Sequence, residues 1–427
     1  MLMFIAIVFF VFLLLGTPIG FALGLAALAV FIKMDTPVLF NMVPQRYFAG
    51  LDMFTLMAMP FFILAGEIMN KAKITHRLVG FANMLVGHLR GGLAHANIVA
   101  SIFFAGLTGA AVSDAAAIGT MLIPAMVEDG YDLDYSAAVT ASGSIIGPTI
   151  PPSNMMVIYG SLMNVSIAGL FAAGIPTGLL LAFLLMILAG YFAAKRHYPK
   201  KPRCTVRQGV KILREAIIPL LMPIIILGGI LTGVFTPTEA AAVAVGYAAF
   251  VGLFILKTLK LKDFPELFYK TAVTTGVVFL IIGTANICGW ILAVERVPES
   301  VAKVMLSIAH DKNSLLLLIL ILMLIVGCFM DIAAALIILG PILHPLAVSN
   351  GIHPLHFGII MVFSLNVALI TPPVGACLFV TCGITKLTLE QLSKAIWPFI
   401  IVEIITLFII AFVPWIPMTI PKLLGFY

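Results

Sequence analysis

Four stretches of this 427-residue chain interrupt apolar sequence with glycine, proline and small oxygen-bearing side chains. The first runs Gly106-Leu107-Thr108-Gly109-Ala110-Ala111-Val112-Ser113-Asp114, and its neighbour runs Gly147-Pro148-Thr149-Ile150-Pro151-Pro152-Ser153-Asn154. The third is Gly327-Cys328-Phe329-Met330-Asp331, and the fourth extends from Asn366 to Gly375 as NVALITPPVG. In lipid an unsatisfied backbone group is costly, so irregular backbone at membrane depth is tolerated only when buried or lining a cavity. Such breaks expose carbonyls that coordinate a small hard cation, and helix N-termini that attract an anion. Thr108, Ser113, Ser153, Asn154, Asn366 and Thr371 add oxygen ligands, and each tip carries one carboxylate, Asp114 or Asp331. Two tips and two breaks therefore predict two sodium sites flanking one substrate site. The candidate cation-binding residues are Thr108, Gly109, Ser113, Asp114, Gly147, Ser153, Gly327, Asp331, Thr371 and Gly375. The candidate substrate-binding residues are Pro152, Asn154, Asn366 and Pro373.

Other polar residues have plainer roles. Asp114 and Asp331 precede apolar helical runs, where an aspartate also serves as N-cap. Thr236-Pro237-Thr238-Glu239 has capping-box spacing with proline at the first helical position, so Glu239 is expected to be structural. Glu67, beside Asn70 and Lys71, is expected to be a solvated charge at a helix end, and Glu403 is deeper and has no assigned role. His353 and His356 have no nearby carboxylate, and the five cysteines have neither metal-site nor disulfide spacing. HExxH, GxSxG, Walker A and CxxC patterns are missing; the missing Walker A argues against an ATP-driven pump, and carbonyl-rich breaks in place of a polar catalytic cluster argue against an enzyme.

The elements that would position these residues are membrane helices. The chain is 62% hydrophobic and 10% charged, with mean hydropathy +1.18, against about 25% charged residues in a soluble domain. A span takes roughly 20 apolar residues, and about ten such stretches are present. The first residues lack the basic start and cleavage site of a signal peptide and are expected to form a retained helix. The net charge of +6 does not indicate nucleic acid, because the cations occupy short loops. Lys195, Arg196, Lys200, Lys201, Arg203, Arg207, Lys211 and Arg214 mark a cytoplasmic loop. Helices are predicted over 3–15, 18–32, 52–69, 168–194, 216–232, 237–256 and 271–294. Hairpins are predicted over 93–128 and 314–349, broken helices over 136–161 and 357–380, and a final helix after 386. Amphipathic segments 76–90 and 297–310 are expected to lie in the membrane interface just before the hairpins.

The halves repeat. Thr17-Pro18 matches Thr236-Pro237, Asp114 matches Asp331, and Pro124 matches Pro341. Gly130 matches Gly351, Pro151 matches Pro372, and Pro176 matches Pro398. The middle pairs lie 217 residues apart and the later ones 221 or 222, which implies one helical turn inserted between Pro341 and Gly351. Internal repetition of this kind marks secondary transporters. With both hairpins treated as re-entrant, every basic cluster falls on the cytoplasmic face, both termini are periplasmic, and the second half is inverted relative to the first. The predicted fold is an all-α integral membrane protein, an inverted repeat with two re-entrant hairpins and two discontinuous helices. Scaffold and arm occupy 1–92, core elements 93–167, scaffold, basic loop and arm 168–310, core elements 311–385, and the C-terminal helix 386–427.

The stretches GVFTPTEAAAVAVGYA, GLTGAAVSDAAAIGTMLIPAM, GPTIPPS and ITPPVG resemble the large membrane subunit of tripartite ATP-independent periplasmic (TRAP) transporters, over nearly the whole chain. The resemblance implies an elevator-type transporter of the bacterial inner membrane, driven by a sodium gradient. It implies a separately encoded small four-helix membrane subunit and a soluble periplasmic substrate-binding protein as partners. Family cargoes are mostly carboxylates, including sialic acids and C4-dicarboxylates, and overall similarity favours a sialic acid. The family's cation sites would map onto the tip-and-break pairs, with Thr108, Ser113, Ser153, Asp331 and Thr371 as side-chain ligands. The alternatives are a stand-alone ion-coupled carboxylate or anion symporter and, more remotely, an intramembrane lipid-modifying enzyme.

Overall fold

The computed structural model describes residues 2–33, 38–72, 74–309 and 311–427, without the side chains of 2, 3, 6, 38, 39, 75 and 106–108. The first half comprises α1 (Leu2–Leu14), α2 (Ile19–Lys33), α3 (Val38–Leu51), α4 (Ala58–Lys71) and α5 (Ile74–Val86). It continues through a hairpin, α6 (Gly92–Thr108) and α7 (Ala111–Glu128), to a broken helix, α8 (Leu133–Gly143), α9 (Ile146–Thr149) and α10 (Asn154–Met163). It ends in α11 (Ile167–Lys195). The second half comprises α12 (Val206–Leu231), α13 (Pro237–Phe250), α14 (Phe264–Val294) and α15 (Val297–Ile308). A second hairpin follows, α16 (Lys312–Gly327) and α17 (Ile332–Ser349), then a broken helix, α18 (Pro354–Ala368) and α19 (Ala376–Thr385). The chain closes with α20 (Leu389–Phe412) and α21 (Trp415–Leu423). The described residues form no β-strand; one isolated bridge joins Arg90 to Lys200.

Among the described residues six helices are individually long and apolar enough to cross a membrane, α7, α11, α14, α17 and α20 among them. Local chemistry explains where helices stop and start. Gly109 ends α6 in the left-handed region (φ +61°), Ser153 caps α10, and Asp311 caps α16. The expected capping box at α13 is present: the Thr236 hydroxyl accepts from the Glu239 N–H, and the Glu239 carboxylate accepts from the Thr236 N–H.

Packing repeats between the halves as the sequence does. Contacts of α4 with α13 recur as α14 with α2, and those of α1 with α2 recur as α12 with α13. In the core, α7 packs on α19 and α17 on α10, while α8 meets α20 and α18 meets α11. Each hairpin thus leans on the other half's broken helix, and the two repeats form one interleaved, inverted-repeat core.

Several expectations need correction. Residues 38–51, expected to be a connecting loop, form α3, which meets the following helix at 61°. Helix α12 begins at Val206, so Arg207, Lys211 and Arg214 are helical rather than in a loop. Helix α14 likewise begins at Phe264 and includes Lys270. The C-terminal segment is two helices, divided before Trp415. No turn is inserted between the hairpins, because α7 and α17 both have 18 residues. Aligning their starts places Pro124 opposite Pro345 and Asp114 opposite Ala335. The pairings of Asp114 with Asp331 and Pro124 with Pro341 are one turn out of register. Residues four apart on a helix share a face, so a one-turn slip preserves the apolar pattern and escapes notice in sequence. Lys73 and His310 lie outside the described residues.

Candidate functional site

The first tip is closed against the first break by backbone contact. A Cβ at Gly109 would lie 2.5 Å from the Pro152 carbonyl oxygen and 3.4 Å from the Asn154 nitrogen, so the close approach requires glycine. Asp114 is in the first turn of α7 and fully buried, and a Cβ at Gly147 would collide with its Oδ2. The Ser153 hydroxyl accepts from the Met156 N–H at 3.4 Å. Pro152, Ser153 and Asn154 are all buried. Gly109, Asp114, Gly147, Pro152, Ser153 and Asn154 are therefore brought together. Thr108 ends α6, and its side chain is outside the description.

The second pair is more open. A Cβ at Gly327 would lie 2.5 Å from the Ala368 Cβ, so this tip also rests on its break. Asp331 is exposed and caps α17, with Oδ1 accepting from the Ala333 N–H at 2.9 Å and the Ala334 N–H at 3.4 Å. Thr371 donates to the Val367 carbonyl at 2.9 Å. Gly375 starts α19 at φ +45°, and Cys377 N–H closes the break onto the Leu369 carbonyl at 3.1 Å. Pro373 is exposed.

Asn366 joins the two breaks. It is fully buried, and its Nδ2 donates to the Thr149 hydroxyl at 3.5 Å. Asn154 Oδ1 and Asn366 Oδ1 are buried without a hydrogen-bond partner among the described residues. Buried polar oxygens are normally satisfied, so these two carbonyls are open to a ligand's donor or a cation. No cluster of three His, Cys, Asp or Glu side chains suited to a metal occurs among the described residues. Hydroxyls, amides and backbone carbonyls dominate the donor set, as suits a weakly held monovalent cation.

The residue set read from sequence was incomplete. Ser113 lines a cavity of about 170 Å³ together with Asn154, Glu67, Asn70 and Thr274. Glu67, near the end of α4, is half-buried and lines this cavity with the tip residue Ser113. Its polar neighbours Asn70, at i+3 on α4, and Thr274 on α14 were the available signal. Glu403 is fully buried, and neither carboxylate oxygen has a hydrogen-bond partner among the described residues.

At the end of the core nearest the basic loop, a clasp joins α8 to the chain after α11. Arg196 Nη1 donates to Asp132 Oδ2 at 2.7 Å, and the Tyr198 hydroxyl donates to the same oxygen at 2.8 Å. Tyr198 and Arg196 hold the Asp132 carboxyl below its ordinary range. Lys201 pairs with Asp129 at 2.8 Å.

Comparison with known proteins agrees with this architecture. The family model described as "Tripartite ATP-independent periplasmic transporter, DctM component" matches residues 6–416. The "Sialic acid TRAP transporter large permease protein SiaM" of Vibrio cholerae is 40% identical over 96% of this chain and 95% of its own length. The "C4-dicarboxylate TRAP transporter large permease protein DctM" of Pseudomonas aeruginosa is 37% identical over 95% of this chain and 94% of its own. Among solved structures, the Alcanivorax borkumensis YdaH transporter superposes with TM-score 0.65, covering 89% of this chain and 88% of its own at 14% identity. At that identity the likeness concerns the fold alone.

Proposed function

The chain belongs to the DctM-component family of TRAP transporters, and from that premise we propose that it imports an organic acid together with sodium by an elevator motion. The family and the apolar helices make it a multi-pass permease of the inner membrane. The observation that carries the sodium and substrate reading is the pairing of each tip with a broken helix, with two buried amide oxygens, Asn154 Oδ1 and Asn366 Oδ1, left open at the breaks. Two unwound segments with carbonyl and hydroxyl donors suit co-transported sodium, and the adjoining helix ends suit a carboxylate.

The elevator reading is supported by interleaving of the hairpins and broken helices, which favours movement as one body. Cavities of about 170 and 520 Å³ interrupt the packing of this core on the scaffold helices α4 and α14. Cargo of the sialic acid or C4-dicarboxylate type follows from what the relatives carry. A small four-helix membrane subunit and a periplasmic binding protein would complete the assembly, with both termini of this chain periplasmic by the distribution of basic residues.

Reconstitution into vesicles tests the reading. Uptake of N-acetylneuraminate or succinate should require an inward sodium gradient, the small subunit and the loaded binding protein. Uptake driven equally by a proton gradient without sodium would refute sodium coupling. Uptake by this chain alone would instead identify a stand-alone symporter.

A further inference from the structure

Arg46 is the one element of charge on α3, and its position is set by close packing. Gly50 admits Asn286, since a Cβ there would lie 2.7 Å from the Asn286 Cβ, and Gly283 admits the ring of Tyr47. These two contacts dock α3 on α14 in a single register. In that register the Arg46 guanidinium lies over the Trp290 ring, 5.4 Å from its centroid. Arg46 is half-buried and forms no ion pair with any described carboxylate.

Beside it lies the cavity of about 520 Å³, whose scaffold wall includes Arg46, Asn286 and Trp290. The core wall includes Met163 of α10 and His344 of α17. The His344 Nδ1 shares a hydrogen bond with the buried Tyr159 hydroxyl, leaving Nε2 as the ring nitrogen for a ligand. The smaller cavity lined by Glu67 and Thr274 lies toward the other ends of α4 and α14, near the Lys71–Glu266 pair. The scaffold–core boundary thus has a cationic recess at one end and an acidic one at the other.

A guanidinium between membrane helices requires compensation, and an aromatic face supplies only part of it. A carboxylate supplies the rest in the two-toothed geometry that guanidinium favours. The cavity falls within the range of about 300–1,000 Å³ typical of small-molecule sites. Asn286 and His344 add hydrogen-bonding groups for the hydroxyls or amides of a polar acid, and Trp290 adds an apolar face.

We propose that Arg46, Asn286, Trp290 and His344 form a receiving site for the carboxylate of the transported acid, separate from the tip-and-break site. Its two walls belong to the scaffold and the core, so the acid is held at the boundary before core movement carries it inward. The assignment rests on the organic-acid reading above and adds a binding step to it.

The test uses the full chain with Trp397→Phe and Trp415→Phe, leaving Trp290 as the sole tryptophan. N-acetylneuraminate and succinate are titrated against its fluorescence, with mannitol as neutral control, and the uptake of both acids is measured in the reconstituted assembly. The transported acid should change Trp290 emission saturably, and mannitol should not. Arg46→Gln should weaken the fluorescence response and raise the uptake KM by about tenfold or more, the loss expected for a charge-assisted pair, with kcat within about twofold of wild type. Arg46→Lys, which keeps charge but not the fork, should fall between them. If Arg46→Gln is not recovered folded, Arg46→Lys decides by the same two readouts. A transported acid that leaves Trp290 unchanged, or titrates the Arg46 variants as it does wild type, overturns the receiving site while the transport reading stands. Failure of wild type to take up either acid overturns the organic-acid reading and the receiving site with it.

Discussion

At the first hairpin tip the aspartate stands in the first turn of α7, fully buried against Gly147, and the facing break is buried throughout. At the second tip the aspartate is the N-cap of α17, exposed, with one oxygen engaged by backbone N–H groups, and the facing break is partly exposed. The aspartates are therefore one turn apart in the repeat, and that turn changes their environment. A buried carboxylate can compensate a dehydrated cation directly, whereas a capping carboxylate mainly orders a helix start. The two cation sites proposed for this permease are accordingly unequal. The first would depend on a side-chain charge, and the second on backbone carbonyls exposed by the break.

The comparison can be broken in several ways. The largest expected effect is qualitative: with exposed Cys204 replaced by serine, cysteines introduced at Glu128 and Asn350 should label from opposite faces of the membrane. Labelling of both from one face would remove the inverted relation on which the comparison depends. Next in size is Gly147→Ala. Its methyl group would displace Asp114, and overpacking costs about 1–3 kcal/mol, so sodium-dependent uptake should collapse even where folded protein is recovered. Gly327→Ala meets the Ala368 methyl rather than a charged oxygen, so it should lower thermal stability more than sodium affinity.

A smaller effect is expected from Asp331→Ala, which removes a helix cap worth about 1 kcal/mol. Thermal unfolding of the purified protein should show that loss, and uptake should fall while expression persists. Uptake and melting both at wild-type values would leave Asp331 without either role. The smallest effect is expected at the clasp. The Asp132 carboxyl is held below its ordinary range by Tyr198 and Arg196, so its contribution is present above the unfolded pKa and is lost as pH falls through the lowered folded value. The pair is largely exposed, and such pairs contribute about 0–1 kcal/mol. Asp132→Asn should therefore lower the melting temperature slightly at neutral pH and not at all in strong acid.

Much of this was legible in sequence where glycine and proline mark the chain. The two tips and two breaks stand out because glycine and proline cluster at them, although residues 106–108, 147–149, 327 and 366–368 still belong to helices and the chain leaves the helix only beyond them, and Thr236 with Glu239 announces its cap by spacing alone. Helix α3 was missed because Pro44, Gln45 and Arg46 interrupt its apolar run, and its stability comes from docking Gly50 and Tyr47 against α14. That Glu67 lines a cavity was hidden because Thr274, which lines it too, lies in the other half of the chain. The register of the repeat was misread by one turn because apolar helices tolerate that slip. Only the shared helix length of 18 residues exposed it.

Sodium dependence of uptake, measured side by side for wild type, Asp114→Asn and Asp331→Asn in reconstituted vesicles, tests the unequal-site account most directly. It predicts that Asp114→Asn raises the half-saturating sodium concentration by about tenfold or more, the scale of a lost charge-assisted contact, and that Asp331→Asn raises it by less than about threefold, since the amide oxygen still caps the helix. Equal shifts in the two variants, or a sodium response in Asp114→Asn like that of wild type, would contradict it.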